Sequence, residues 1–518
     1  MNQISLPPLV NPSSSTEIAS TVAWLRKRLT QQAQLSADSR RLANGDGFFA
    51  YVEGNTQQHS DGRPYIDAAF AAGAQAVLYE VDDGYTPTFD HQKHTLGVKK
   101  LGWHAGEIAS AWYGLPSQSL SVIGVTGTNG KTSCALWLAQ ALEHIGQHCG
   151  VIGTLGAGRP GNLQATGFTT PDAVQLQRIY QQLLAQGAKA VALEVSSHGL
   201  ERGRVNGTAF TTAIFTNLSR DHLDYHGTMH AYQLAKSRLF TWRGLRHAVI
   251  NIDDPVGESI LQTIGSEVDI FVYGIGDRVQ KSPYNWLCAN DITPTAQGTS
   301  FAITARIANK LYSSVVDSAV IGRFNISNLL AVLGGLLAQG VPWTEAVSAL
   351  AILRPVPGRM QQLGGRRAPL VVVDYAHTPD ALQHTLATLR TIAQARTGRL
   401  WCIFGCGGDR DPGKRAQMGQ VSEQSADHIV LTNDNPRTEH ADLIIEMIKS
   451  GMHAPQKAHV VADRAAAILY SVRHAQPQDV ILVAGKGHET WQEINGKKIP
   501  FSDAEHVHLA LAAIGANS

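Results

Sequence analysis

Seven short apolar runs in this chain, separated by stretches of helical periodicity, each stop at a cluster of polar residues. Residues 122–125 lead into TGTNGKT, 190–193 into Glu194 and VSSH, and 213–215 into TNLSRDH. Later, 370–373 lead into DYAH, 401–404 into GCGGDRD, 428–431 into TNDNPR, and 480–483 into AGKGHE. β-type runs alternating with helical patterns predict βαβ units and parallel sheets. In such sheets, ligands bind outside the carboxyl ends of the strands. Two sheets of this kind facing each other would make one cleft between two domains.

At 518 residues the chain exceeds what a single core can organise. Three α/β domains are expected. The first, 1–100, is small and holds the strand-like pieces 48-FFAYVEG and 76-AVLYEV. The central domain, 101–353, carries a P-loop-like ATPase site on a mostly parallel sheet. The third, 354–518, is Rossmann-like. Between the last two lies 354-RPVPGRM-360, whose prolines and glycine read as a linker. A net charge of +1 gives no global field for nucleic acid or membrane. No apolar run approaches the roughly 18 residues of a membrane span. The start, MNQISLPPLVNPSSS, lacks a basic region followed by an apolar one, so no secretory signal is expected. Five scattered cysteines argue against a disulfide framework and fit a reducing cytoplasm. Cys402 and Cys406 read as ordinary thiols rather than a metal pair.

The TGTNGKT loop sits between a β-type run and a helix marked by Ala135, Leu138, Ala139, Leu142 and Ile145. Strand, glycine-rich turn and helix N-terminus together cradle phosphate. Lys131 would reach the β- and γ-phosphates, and the Thr132 hydroxyl would face Mg²⁺. The usual pattern needs glycine where Val125 stands. Glu194, at the end of a neighbouring run, could hold the same ion through oxygen. His222, His226 and His230 could share a helix face and suggest zinc, but Gly227 interrupts that helix and no cysteine is near. His222 therefore reads as functional, and His226 and His230 as solvated or structural. On spacing alone Lys236, beside the face formed by Tyr232, Ala235 and Leu239, reads as a surface lysine.

In order and spacing, TGTNGKT, FTTPD, EVSSHGL, FTNLSRDHLDYHG, AKSRLF, GRFNISN, PGRMQ, DYAHTPDAL, GCGGDRDPGKR, DNPR and GKGHE resemble the Mur ligase family. The family's loop is of the TGTNGKT type, which removes the objection at Val125. The resemblance implies a cytoplasmic, monomeric ligase that uses ATP to convert a carboxylate to an acyl phosphate, which an amine then attacks. It implies ATP contacts from Gly127, Thr128, Asn129, Gly130, Lys131, Thr132, Ser133, Asn325, Asn328, Arg359, Asp374 and His377. Thr132 and Glu194 would bind one Mg²⁺. His222 would help bind a second, with Lys236 as its CO₂-derived carbamate. Lys131, Glu194, His222 and Lys236 would thus form the catalytic set. The first domain would bind the UDP-sugar, and Ser39, Thr169, Thr170, Ser196, Arg202 and Arg204 would hold the UDP-muramoyl dipeptide. Phe168 departs from the asparagine common ahead of the two threonines, and Arg202 stands where some relatives have a neutral amide.

The 434-DNPR-437 stretch bears on the incoming amine. By pattern it is an Asn-Pro turn. In the family it accompanies meso-diaminopimelate, an amino acid with a second zwitterionic end. Arg437 and Arg410 would offer planar forks to carboxylate, a geometry lysine lacks. Glu489 would take the distal ammonium, Gly485 would allow close approach, and Asp434, Asn435 and Pro436 would complete the pocket. A lysine-adding Mur ligase and a folylpolyglutamate synthase-like ligase share the ATP machinery, and DNPR with GKGHE separates them. A phosphate-loop kinase would leave the cluster from Arg410 to Glu489 without a purpose, and the intact Lys131, Glu194, His222 and Lys236 speak against a non-catalytic nucleotide-binding regulator.

Overall fold

The computed structural model describes residues 15–54, 59–81, 94–295, 298–365 and 367–515. The extreme N-terminus, where no secretory signal is expected, and residues 55–58, a stretch to which the sequence assigns no uridine contact, lie outside the described residues. The first sheet has four parallel strands in the order Leu35–Ser36, Gly47–Ala50, Ala76–Val81, Thr95–Lys99. Helices Ser15–Arg26 and Leu101–Trp112 cover it through Val22, Leu25, Leu101, Ala105 and Ile108. The sequence reading counts Leu101–Trp112 with the central domain. Its apolar side packs on the first sheet instead, and meets helix Ala173–Ala185 at Ala173 and Val174.

The central sheet has eleven strands. Seven are mutually parallel: Cys149–Gly153, Ala190–Glu194, Ser121–Thr126, Phe210–Phe215, His247–Asn251, Asp269–Ile275 and Asn285–Thr295. Antiparallel strands extend both edges. Helices Lys131–His144 and Arg323–Ala338 bury one face, and Ala173–Ala185 packs on the other through Leu176, Tyr180 and Leu183. Burial on both faces is why runs such as 122–125 are continuously apolar rather than alternating.

The third sheet runs Gln361–Gly364, Leu370–Asp374, Val480–Ala484, Leu400–Phe404, His428–Leu431, Ala458–Val460, all parallel except the first strand. A hairpin, Trp491–Ile494 with Lys497–Pro500, follows the last central strand. Each of the seven apolar runs lies in a strand, and loops from the ends of the central and third sheets line one cleft. Cys402 is buried within a strand, and the buried Cys406 contacts the Met418 sulfur at 3.7 Å.

Candidate active site between two sheets

The loop joining Ser121–Thr126 to Lys131–His144 uses two left-handed glycines, Gly127 at φ +151° and Gly130 at φ +86°. A Cβ on Gly127 would collide with Thr216 Oγ1, and one on Gly130 with Asn328 Oδ1, so both positions need glycine. Asn217, in the next strand-end cluster, accepts from the backbone N–H of Thr128 at 2.8 Å and of Asn129 at 2.9 Å. Those two amides are therefore committed to the loop itself. The first N–H groups of the following helix, around Lys131, Thr132 and Ser133, remain the natural anion donors. Lys131 Nζ folds back to the carbonyls of Gly127 and Thr128, both at 2.8 Å.

Glu194 is 2 % exposed. Its carboxylate accepts from the Thr132 hydroxyl at 2.9 Å, from the Thr154 N–H at 2.8 Å and from the Thr154 hydroxyl at 3.1 Å. A Cβ on Gly153 would strike this carboxylate, which explains a glycine at the end of that strand. Thr154 was missed in the sequence; its only signal is its place one residue past Cys149–Gly153. The Thr132–Glu194 pair is a hard-oxygen donor set suited to Mg²⁺. Arg359 reaches the Thr132 hydroxyl at 3.2 Å, and its buried Nε has no hydrogen-bond partner within the protein. Such an orphan donor beside a phosphate loop fits an anion.

Lys236 is not a surface residue. It lies on helix Met229–Ser237, is 2 % exposed, and donates from Nζ to the Gly127 carbonyl at 2.7 Å. Burial, reinforced by the nearby Lys131 charge, pushes its ammonium well below the ordinary lysine range. Gly227, at φ +72°, separates that helix from the short Leu223–His226 turn, so the three histidines do not line one helix face. His226 is buried against Ser197 Oγ at 2.9 Å and Glu201 at 3.1 Å, whereas His230 is exposed. Among the described residues, no group of three or more His, Cys, Asp or Glu is arranged to hold a metal. His222 caps the short turn at φ +53°. Loss of hydration, with Lys236 and Lys131 behind it, lowers its imidazole to about 4 despite the opposing Asp221 charge.

Asp221 lies between two histidines from different sheets, 3.4 Å from His222 Nε2 and 3.8 Å from His377 Nε2. Burial alone would raise this carboxyl, but His377, His222 and Lys414 hold it well below the usual range. No role was assigned to Asp221 from the sequence, although its place in a strand-end cluster was the available signal.

The cleft encloses a cavity of about 370 Å³, within the size of small-molecule sites. Asn129, Thr132 and Asn217 line one side, Phe324, Asn325 and Asn328 another, and Arg359, Tyr375, Asp380 and His384 a third. Asn325 donates to the Ile321 carbonyl at 2.8 Å, and Asn328 to Asn325 at 3.3 Å. Asp374 borders the cavity, but both its oxygens accept backbone N–H groups, Met360 at 2.7 Å and Ala376 at 2.8 Å. It thereby clamps the 354–360 linker to the third sheet. Arg359 stacks 4.4 Å over the Tyr375 ring, and His377 Nδ1 meets the Tyr375 carbonyl at 2.7 Å.

The residues expected at the dipeptide are drawn largely into one network. Thr170 donates to the Glu194 carbonyl at 2.8 Å and accepts from the Ser196 N–H at 3.0 Å. Ser196 caps helix Ser197–Glu201, and Thr169 meets Thr154 at 3.0 Å. Arg204 forks onto Glu53 of the first unit at 2.6 and 2.8 Å, and Arg202 lies 3.7 Å from the same carboxylate. Glu53 was missed, since an acid within a short edge strand carries no pattern of its own. Phe168 is 55 % exposed, with its ring 4.7 Å beneath Arg204. Ser39, itself half-buried, starts the otherwise exposed turn Ser39–Arg41.

The third sheet gathers most of the amino-acid set. Asn435 donates to Glu489 at 2.9 Å, and the buried Lys486 bridges Asn435 at 2.9 Å and Glu489 at 2.8 Å. Gly485, at φ +116°, faces the Asp434 carboxylate where a Cβ would clash. Arg437 donates to the Gly408 carbonyl at 2.7 Å. Pro436 passes so close to Gly408 that a Cβ there would meet its carbonyl. Arg410 is exposed and bonds only locally among the described contacts, to the Asp409 carbonyl at 3.2 Å. Lys486 and Glu493 also belong to this cluster, although no motif role marks them in the sequence.

Residues 125–336 match the Mur ligase middle domain, and residues 358–487 match the Mur ligase, glutamate ligase domain. A protein from Ralstonia nicotianae named UDP-N-acetylmuramoyl-L-alanyl-D-glutamate--2,6-diaminopimelate ligase is 53 % identical over 507 residues, covering 97 % of this chain and 98 % of that protein. A solved structure of a ligase with the same name is 36 % identical, with a TM-score of 0.63, over 93 % of this chain and 95 % of that one. The MurF ligase of Thermotoga maritima, solved with ADP, shares the fold at 18 % identity and a TM-score of 0.61, over 93 % of this chain and 98 % of that one.

Proposed function

Because this chain belongs to the Mur ligase family of ATP-dependent ligases, we propose that it joins meso-2,6-diaminopimelate to the D-glutamyl carboxylate of UDP-N-acetylmuramoyl-L-alanyl-D-glutamate, a step of peptidoglycan precursor synthesis. The observation that carries this reading is the cleft itself. Thr132 of the phosphate loop, bonded to Glu194, lines it together with Arg359, Tyr375 and Asp380, and the third sheet that closes it also carries the cluster of Arg437, Asn435 and Glu489.

The chemistry follows from the groups present. A carboxylate is a poor electrophile, so its oxygen first attacks the γ-phosphorus of ATP, and ADP leaves. The amine nitrogen then attacks the acyl carbon, loses a proton, and the C–O bond to phosphate breaks. Phosphoryl transfer depends on positioning and charge neutralisation more than on covalent help from the protein. Lys131, Arg359 and the N-terminus of Lys131–His144 supply fixed positive charge to the phosphates. Thr132 and Glu194 would hold Mg²⁺, which when bound neutralises phosphate charge.

Lys236 matches the lysine that this family carbamylates. Its burial favours the neutral amine, the form that adds to CO₂ with loss of one proton. The resulting anion, with His222, would provide ligands for a second Mg²⁺. Arg202, Arg204 and the hydroxyls near Thr170 face the acidic dipeptide, and Arg437, Arg410 and Glu489 read the two charged ends of diaminopimelate. All partners in this reading are small molecules, and the reaction belongs to the cytoplasm of a monomeric enzyme. No helix among the described residues is long and apolar enough to cross a membrane.

Phosphate release from ATP and Mg²⁺ should require both the UDP-muramoyl dipeptide and the amine. Release without the dipeptide would mark a simple nucleotidase, and no release with any amine would overturn the ligase reading.

A further inference from the structure

Arg437 is held by the hairpin that follows the third sheet. Its N–H donates to the Glu493 carbonyl at 3.1 Å, and its own carbonyl accepts from Asn495 N–H at 2.7 Å. The residue stands at φ +51°, a left-handed conformation that arginine adopts only when its surroundings impose it. The same hairpin grips the rest of DNPR: Gln492 donates to the Asp434 carbonyl at 2.6 Å, and Glu493 N–H to Asn435 Oδ1 at 3.0 Å. At the side chain, Glu493 Oε2 lies 3.6 Å from Arg437 Nε, while Arg437 Nη1 reaches Gly408. Two sides of the guanidinium are thus fixed. The hairpin turns tightly through Asn495 at φ +50° and Gly496 at φ +72°, the two positive angles of a type I′ turn.

We propose that hairpin 491–500, acting through Glu493, is a positioning element that sets the Arg437 fork to receive the carboxylate of a zwitterionic amino-acid end. The inference rests on the function proposed above and adds a residue to its specificity. Glu493 touches no substrate in this account. It orients the group that does, as an acid beside an arginine fixes the direction of its remaining donors.

Two variants of the full-length chain test it, assayed with ATP, Mg²⁺ and the UDP-muramoyl dipeptide. Glu493→Gln should raise KM for meso-diaminopimelate about tenfold while leaving KM for ATP and for the dipeptide unchanged. Gly496→Ala acts through the backbone alone, since nothing lies within 4 Å of the added Cβ, and should raise the same KM. A thermal melt of each variant separates loss of fold from loss of orientation. Folded variants with an unchanged diaminopimelate KM, or with all three KM values raised together, would overturn the positioning role. Wild-type enzyme that rejects diaminopimelate would instead overturn the function on which it rests.

Discussion

Lys236 Nζ donates to the Gly127 carbonyl at 2.7 Å, setting a fully buried lysine against the loop that is to hold the phosphates. A lysine so placed has no role as a solvated cation. If it acts as a carbamate, Lys236→Ala should lose activity by at least the roughly ten- to hundredfold seen when even an outer partner of a metal's ligand is removed. Short carboxylic acids should restore part of it by supplying the missing anion. Full activity in the unsupplemented variant would remove Lys236 from the site.

The Thr132–Glu194–Thr154 cluster depends on the close approach of Gly153. Gly153→Ala should displace the Glu194 carboxylate and raise the Mg²⁺ concentration needed for half-maximal turnover. KM for diaminopimelate should stay where it is, because the residues proposed to read that amine lie on the other sheet. An unchanged Mg²⁺ requirement would show that Glu194 does not serve the metal.

Arg437→Lys keeps the charge and loses the planar fork. The expected fall in kcat/KM for meso-diaminopimelate is about ten- to a hundredfold, the worth of one hydrogen bond to a charged group. ATP binding should be unaffected. A conservative result, with less than a twofold change, would place the distal carboxylate elsewhere.

Two histidines give the fold a pH dependence of definite sign. Burial, with neighbouring imidazoles and arginines, lowers His198 to about 2, and burial beside Arg359 lowers His488 to about 3. Both stay neutral in the fold, whereas unfolded imidazoles take up protons below about pH 6.5. Stability should therefore fall as pH drops from 6.5 toward 4. Asp221 loses most of its stabilising ionisation below the ordinary carboxylate value of 3.8, so it adds little in that window and in the same direction. The urea midpoint at pH 7, 6 and 5 reads this directly, and His198→Gln should flatten the slope. A midpoint independent of pH would contradict it.

The strands were legible because burial on both faces forces continuous apolar runs, and the phosphate loop because its glycines meet Thr216 and Asn328 at close range. Lys236 was not legible from spacing. Its neighbours Tyr232, Ala235 and Leu239 mark a buried face, yet nothing local says that a cation joins them. Glu53 and Glu493 were also out of reach, because each acquires its partner across about 150 or 60 residues of chain through tertiary contact. Helix Leu101–Trp112 shows the same limit: its periodicity marks an apolar face without saying which sheet that face will meet.

The proposed reaction turns on the choice of amine. Wild-type enzyme given ATP, Mg²⁺ and UDP-N-acetylmuramoyl-L-alanyl-D-glutamate, with equimolar meso-diaminopimelate and L-lysine in competition, should yield the diaminopimelate product almost alone by mass spectrometry. Lysine lacks the distal carboxylate that Arg437 is proposed to receive. A product mixture near equality, or one dominated by lysine, would contradict the account.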